Sequence, residues 1–318
     1  MRKILGIGML LICQFSFGQT ANVKADSLPV VKKSKWTQAN KASIDVSEVT
    51  FVNWNAGGSN SISGLLGVSS TLNYTNENFY WKSKGDIRYG VNKQESQGMR
   101  KTEDILEISS NMGYRKDSLT NWFFSAHFNF KSQFTNGYNY PNKDNSISKF
   151  MAPGYMFIGG GAEYGKDLEK FSFYFSPLTV KTTFVLDETL ANKGSFGVEP
   201  GIYDLDGNLI KNGQKVKNEV GILVTHFFET EMFENIKIST KLNLYTDYIK
   251  SFGNVDVDWL VNFEFKVNQF VRAILTSHLR YDDDIKISTP TDVAGEFIEN
   301  GARVQWKQLL GVGVAINF

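Results

Sequence analysis

The chain has 318 residues and a formal net charge of +1, so no single-sign field marks nucleic acid as its partner. Aromatic residues make up 14% of it, with 25 Phe and 13 Tyr against only 6 Pro, a balance that favours strands and excludes a disordered chain. The single cysteine, Cys13, excludes a disulfide framework and leaves a core, a metal or a membrane to hold the fold together.

Met1-Arg2-Lys3, the apolar run from Ile4 to Phe17 and the small-residue end at Gly18 follow the order of a secretory signal, which places the mature start near Gln19. The run is too short for a spanning helix, which needs roughly 20 residues. Ile12 precedes Cys13 inside the hydrophobic stretch, where a lipoprotein signal wants a small residue, so lipidation is not expected. The expected organisation is a signal peptide over 1–18, a polar periplasmic tail over 19–41 containing Lys32-Lys33-Ser34-Lys35, and a barrel over 42–318.

Beyond the tail, the dominant signal is a period of two held for longer than strands of soluble proteins usually run. Ser43 to Val52 and Ser61 to Asn76 show it weakly. In Phe79 to Lys93 it is plain, with Phe79, Trp81, Ile87, Tyr89 and Val91 on one parity and Lys82, Lys84, Asp86, Arg88 and Asn92 on the other. Leu106 to Tyr114 and Trp122 to Phe134 continue it. Tyr155 to Lys166, Phe171 to Leu186 and Glu219 to Glu231 are weaker candidates. Ile236 to Tyr248, Val255 to Val267, Val271 to Tyr281 and Ala302 to Phe318 restore a clear pattern. About twelve strands result, an even number as in bacterial single-chain barrels.

The expected fold is therefore all-β: a transmembrane antiparallel up-and-down barrel with both termini periplasmic and its apolar face toward the lipid of the cell outer membrane. Averaged hydropathy hides such a chain because lipid-facing and lumen-facing residues cancel. Short connections near Thr75 to Asn78, Asp117 to Asn121, Asp167 to Lys170, Met232 to Asn235 and Asn268 to Gln269 alternate with connections that include long ones near Thr135 to Gly154, Asp187 to Asn218 and Asp282 to Asn300. That is the turn-and-loop asymmetry of outer-membrane barrels. Asp206-Gly207 inside the longest loop reads as a small hairpin. Trp81, Tyr89, Trp122, Tyr155, Tyr248, Trp259, Tyr281 and Trp306 are candidates for interfacial belts or are ordinary sheet aromatics. The alternation from Leu310 to the final aromatic, Phe318, resembles the terminal-strand signal read by the barrel-assembly machinery, which implies that machinery as a partner.

The inward parity carries the candidate functional residues Lys82, Lys84, Asp86, Arg88, Glu107, Arg115, Lys131, Lys241, Asp256, Asp258, Glu264, Lys266, Arg272, Arg280, Arg303 and Lys307, with Lys237 and Asp247 beside them. Both signs are present, so a narrow passage for small polar solutes and a salt-bridged plug are both compatible with the pattern. His127 and His278 share this parity, whereas His226 lies near Thr225 and Glu229 in an ambiguous strand; no nucleophile-elbow pattern accompanies it and catalysis is not expected. Asp282-Asp283-Asp284 and Asp204-x-Asp206-x-Asn208 are oxygen-rich but fit solvated loops, and no metal or cofactor is required.

Phe51-Val52-Asn53-Trp54-Asn55-Ala56-Gly57-Gly58, followed by Asn60-Ser61, resembles a segment of a Bacteroidota outer-membrane family catalogued as a domain of unknown function. The resemblance implies a barrel and no particular activity. Two functional readings stand: a narrow passive channel for small polar solutes, or a non-conducting structural or accessory barrel of a surface complex whose loops or tail dock partners.

Overall fold

The structure, a computed structural model, describes residues 35–50, 59–95, 97–250, 252–290 and 297–318. The expected signal peptide, most of the expected tail and the Phe51–Gly58 segment lie outside the described residues. Twelve strands form one closed sheet: β1 (Trp36–Val49), β2 (Ser61–Thr75), β3 (Phe79–Gln94), β4 (Arg100–Tyr114), β5 (Trp122–Ser132), β6 (Gly154–Tyr164), β7 (Phe171–Phe184), β8 (Val216–Phe233), β9 (Ile236–Asp247), β10 (Asp256–Lys266), β11 (Val271–Tyr281) and β12 (Gln305–Asn317). Each strand pairs antiparallel with its sequence neighbours, and β12 returns to β1 with Lys41 opposite Asn317 and Val46 opposite Val312. Closure leaves no edge of unpaired amides. β1 begins at Trp36, so Trp36–Lys41 belong to the wall rather than to the tail; Trp36 lies opposite Tyr74.

Alternation along the strands sorts the side chains to two sides. Outside stand Ile44, Leu66, Phe124 and Leu310, exposed by 56%, 54%, 77% and 66%. Each would contribute roughly 1.5–3 kcal/mol if removed from water. Among the described residues, buried apolar side chains form only two small clusters, which cannot hold twelve strands together. The apolar surface that drives this fold therefore points outward. Inside, Ser43, Asp45, Ser109, Asn111, Ser239, Asn243 and Asn262 border the lumen.

The two ends differ. At one end the connections 76–78, 115–121, 165–170, 234–235 and 267–270 are short turns, and both ends of the sheet, Trp36 and Asn317, lie on that side. At the other end, the connections 133–153, 185–215 and 282–304 are long and carry two-stranded hairpins, Gly137–Tyr138 with Ser146–Ser148, Ile202–Tyr203 with Leu209–Lys211, and Lys286–Pro290 with Phe297–Ala302. The expected Asp206-Gly207 turn is the tip of the second hairpin, where Gly207 takes φ +83°, a left-handed conformation that glycine adopts without penalty. Helix α1 (Glu188–Asn192) starts on Asp187, whose carboxylate accepts from the Leu190 amide at 3.1 Å. Ala152, Val185, Leu190, Ala191 and Val198 pack into a buried cluster with Phe196 beside them, tying the 133–153 and 185–215 connections together over one side of the barrel end.

Candidate functional site

Twelve strands enclose a cavity of about 1180 Å³, bordered near the short turns by Asn76, Asp167 and Glu169 and near the long loops by Asp282 and Lys307. Of the sixteen charged candidates, all but Lys266 and Arg303 border it. Lys266 is the exposed last residue of β10, where the chain turns away, and Arg303 is exposed just before β12 begins at Gln305. Tyr155, a candidate for an outer belt, borders the cavity instead, because β6 pairs it opposite the inward Lys131. Lysines and arginines on the cavity wall are balanced almost one for one by aspartates and glutamates.

Charged side chains reach across the cavity rather than only along its wall. Lys241 on β9 approaches Glu107 on β4 at 3.5 Å, and Lys131 on β5 approaches Asp258 on β10 at 3.8 Å. Lys307 on β12 meets Glu103 on β4 in a further ion pair. None of these strands are sheet neighbours, so each pair bridges opposite walls and narrows the lumen. Asp258 also accepts from His278 at 3.0 Å and lies 3.6 Å from Arg280. Beneath β1, Arg272 joins Asp45 at 3.2 Å and Glu264 at 2.8 Å, and Lys41 joins the same Glu264 at 3.0 Å.

Two further knots escaped the sequence reading. Near the long loops, Lys181 is only 4% exposed and sits 2.6 Å from Asp256, 3.6 Å from Asp282 and 3.7 Å from Glu219. Its ammonium supplies the cation for carboxylates that otherwise repel, since Asp256, Asp282 and Asp283 approach within 4.8 Å. Asp283 accepts from Asn254 and Asp284 pairs with Lys217, so the acidic run is held by the chain's own donors. The Asp204 carboxylate likewise accepts the amides of Asp206 and Asn208. Near the short turns, Glu163 on β6 accepts from Tyr80 on β3 and bonds His127 on β5 at 3.1 Å, while the His127 ring stacks on Tyr174 with centroids 3.6 Å apart.

His226 is set apart from both knots. Thr225 and Glu229 border the cavity, whereas His226 takes the opposite parity, bonds the Ser172 carbonyl through Nδ1 at 3.2 Å and packs edge-on against the outward Phe171. Thr225 and Glu229 therefore do not converge with it. At the other candidate signal, Phe318 is 68% exposed and its main chain pairs with Asn40.

A family model described as a protein of unknown function (DUF3078) matches residues 46–138, which include the Phe51–Gly58 segment. No curated protein matches the chain. Among solved structures, an outer membrane channel from Pseudomonas putida F1 is similar at 12% identity over 94% of this chain and 100% of its own, with a TM-score of 0.39. The translocator domain of the autotransporter NalP from Neisseria meningitidis aligns at 9% identity over 88% of each chain, TM-score 0.30. Salmonella typhi OmpF, in a complex with daunomycin, aligns at 7% identity over 89% of this chain and 97% of its own, TM-score 0.31. Likenesses this distant say nothing of what passes through this barrel.

Proposed function

We propose that the chain spans the outer membrane, short turns in the periplasm and long loops outside, and forms a narrow passive channel for small polar solutes. The observation that carries this reading is the cavity of about 1180 Å³, bordered by many charged side chains, that runs inside a closed, outwardly apolar wall from one end of the barrel to the other. Lipid offers no hydrogen-bond partners, so a closed sheet with its apolar side chains outward suits a bilayer, while a lumen lined by ion pairs and amides suits water. Solutes must be small, because the pairs Lys241–Glu107 and Lys131–Asp258 cross the lumen. Single-channel recording of the refolded full chain in a planar bilayer tests the reading: small, regular steps are expected. Silence under conditions where general porins conduct would overturn it.

The cross-lumen pairs and the buried cluster around Leu190 favour a second reading, a non-conducting barrel that serves a surface complex. Recovery of a stoichiometric partner with a silent barrel would select it.

A further inference from the structure

A second, smaller cavity of about 340 Å³ lies at the long-loop end, between β4 and β5 on one side and β11 and β12 on the other. It shares a wall with the main cavity, and that wall consists of Glu103, Lys131, Tyr155, His278, Arg280 and Lys307. This is also where the lumen is bridged, by Lys307 to Glu103 and by Lys131 to Asp258. The charge here departs from the balance of the main cavity. Lys131, Arg280 and Lys307 stand on the shared wall against one carboxylate, Glu103. Asp104 borders the smaller cavity and is held by Lys101 at 2.8 Å, and Asp258, which borders the main cavity alone, is divided among Lys131 at 3.8 Å, Arg280 at 3.6 Å and His278 at 3.0 Å.

We infer that this junction is an anion-selecting constriction, and that the solutes it admits are small carboxylate-bearing molecules. The inference rests on the channel reading and gives it a substrate class. Each cation at the junction already binds a carboxylate of the wall, so the geometry for a charge-assisted contact is in place. A solute carboxylate takes the place of Glu103 on Lys307, or of Asp258 on Lys131 and Arg280, and the displaced wall group stays hydrated in the adjoining cavity. The mirror exchange by a cationic solute on Glu103 or Asp258 is disfavoured because Lys131, Arg280 and Lys307 outnumber those two carboxylates at the junction. A narrow site of one dominant sign raises the local concentration of the opposite charge.

The test uses thiol labelling, which reads the local potential whether or not current flows. Gln133 and Gln305 both border the smaller cavity and take part in none of these ion pairs. Gln133→Cys and Gln305→Cys, each in a Cys13→Ser background, are labelled in folded barrels with a sulfonate-bearing and an ammonium-bearing methanethiosulfonate of similar size. The sulfonate reagent is expected to react roughly tenfold faster, as a focused positive field requires. The ratio should fall toward one when Lys307→Gln or Arg280→Gln is added. Equal rates, faster ammonium labelling or no reaction at either position overturns the inference. A barrel that labels as expected but never conducts keeps the anion site and removes the channel; one that conducts yet favours the ammonium reagent keeps the channel and removes the anion site.

Discussion

Lys181 shows what a single side chain can be asked to do inside this barrel. Its ammonium is 4% exposed and lies among Asp256, Asp282 and Glu219, so removing it leaves carboxylates facing one another in a poorly solvated site. Breaking one side of a buried ion cluster costs about 3–5 kcal/mol. Lys181→Met is expected to lower the urea midpoint of the refolded barrel by that equivalent. Lys170→Met, which removes an exposed partner 3.8 Å from Asp167, should change it by about 1 kcal/mol or less. Equal effects would contradict the buried-cluster account.

Asp187 is the matching case outside the wall. Burial works to raise its carboxyl, but hydrogen bonds from Lys149 at 2.5 Å and from the amides of Leu190 and Thr189 outweigh it and hold the group below the ordinary carboxylate range. A depressed carboxyl contributes stability that is complete above the unfolded value of about 3.9 and is lost as pH falls through the lower folded value. Exchange of the Leu190 and Ala191 amides should therefore accelerate below that window in the native chain. In Asp187→Ala it should be faster throughout, by the several-fold that a lost cap worth about 1 kcal/mol implies. An Asp187→Ala profile that keeps the acid transition would assign it to another group.

At the scale of elements, β7 explains why part of the site was illegible in the sequence. Ser172, Tyr174 and Ser176 are buried on even numbers, then Thr179, Lys181 and Thr183 are buried on odd ones. The pairing register with β8 shifts between Gly221 and Leu223, opposite Thr179 and Ser176, and this bulge around Pro177-Leu178 changes the parity in mid-strand. A strict period of two cannot follow such a change, so Phe171 to Leu186 reads as a weak strand and Lys181 falls out of the lumen set. Trp36–Lys41 was lost differently: beyond Trp36 and Ala39 the segment is polar on both parities, and only pairing with β2 reveals it as strand. By contrast β3, β9, β10 and β11 have no bulge among their inward charges, and their ends were legible to within a residue or two. Deleting Leu178 removes the extra residue and puts Ser176, Thr179 and Lys181 on one regular inward parity, so the strand should still close the barrel, read as persistence of the compact, heat-modifiable band in detergent gels. Deleting Asn208 at the exposed hairpin should leave that band in place. Loss of the band in the Leu178 deletion would contradict the assignment of the parity change to one extra residue at this point of β7.

For the whole molecule, two of the opposed properties in the sequence reading survive intact: an inward parity rich in charge and an outward parity rich in aromatic and branched residues. Which charges meet across the lumen was not legible, because Lys131–Asp258 and Lys241–Glu107 join strands far apart in the sheet and depend on its closed shape. Twelve strands give a ring between the side-chain-filled small barrels and the open porins, and here the cross-lumen pairs divide the space without filling it. The account stands on the separation of the two faces, and spin labels placed along β9 test it most directly. Labels at Ile238, Thr240, Leu242 and Leu244 should relax with lipid-dissolved oxygen, and labels at Lys237, Ser239, Lys241 and Asn243 with a water-soluble nickel chelate, in strict alternation. A uniform response along the strand, or the reverse phase, would contradict a membrane-spanning barrel with a wet interior.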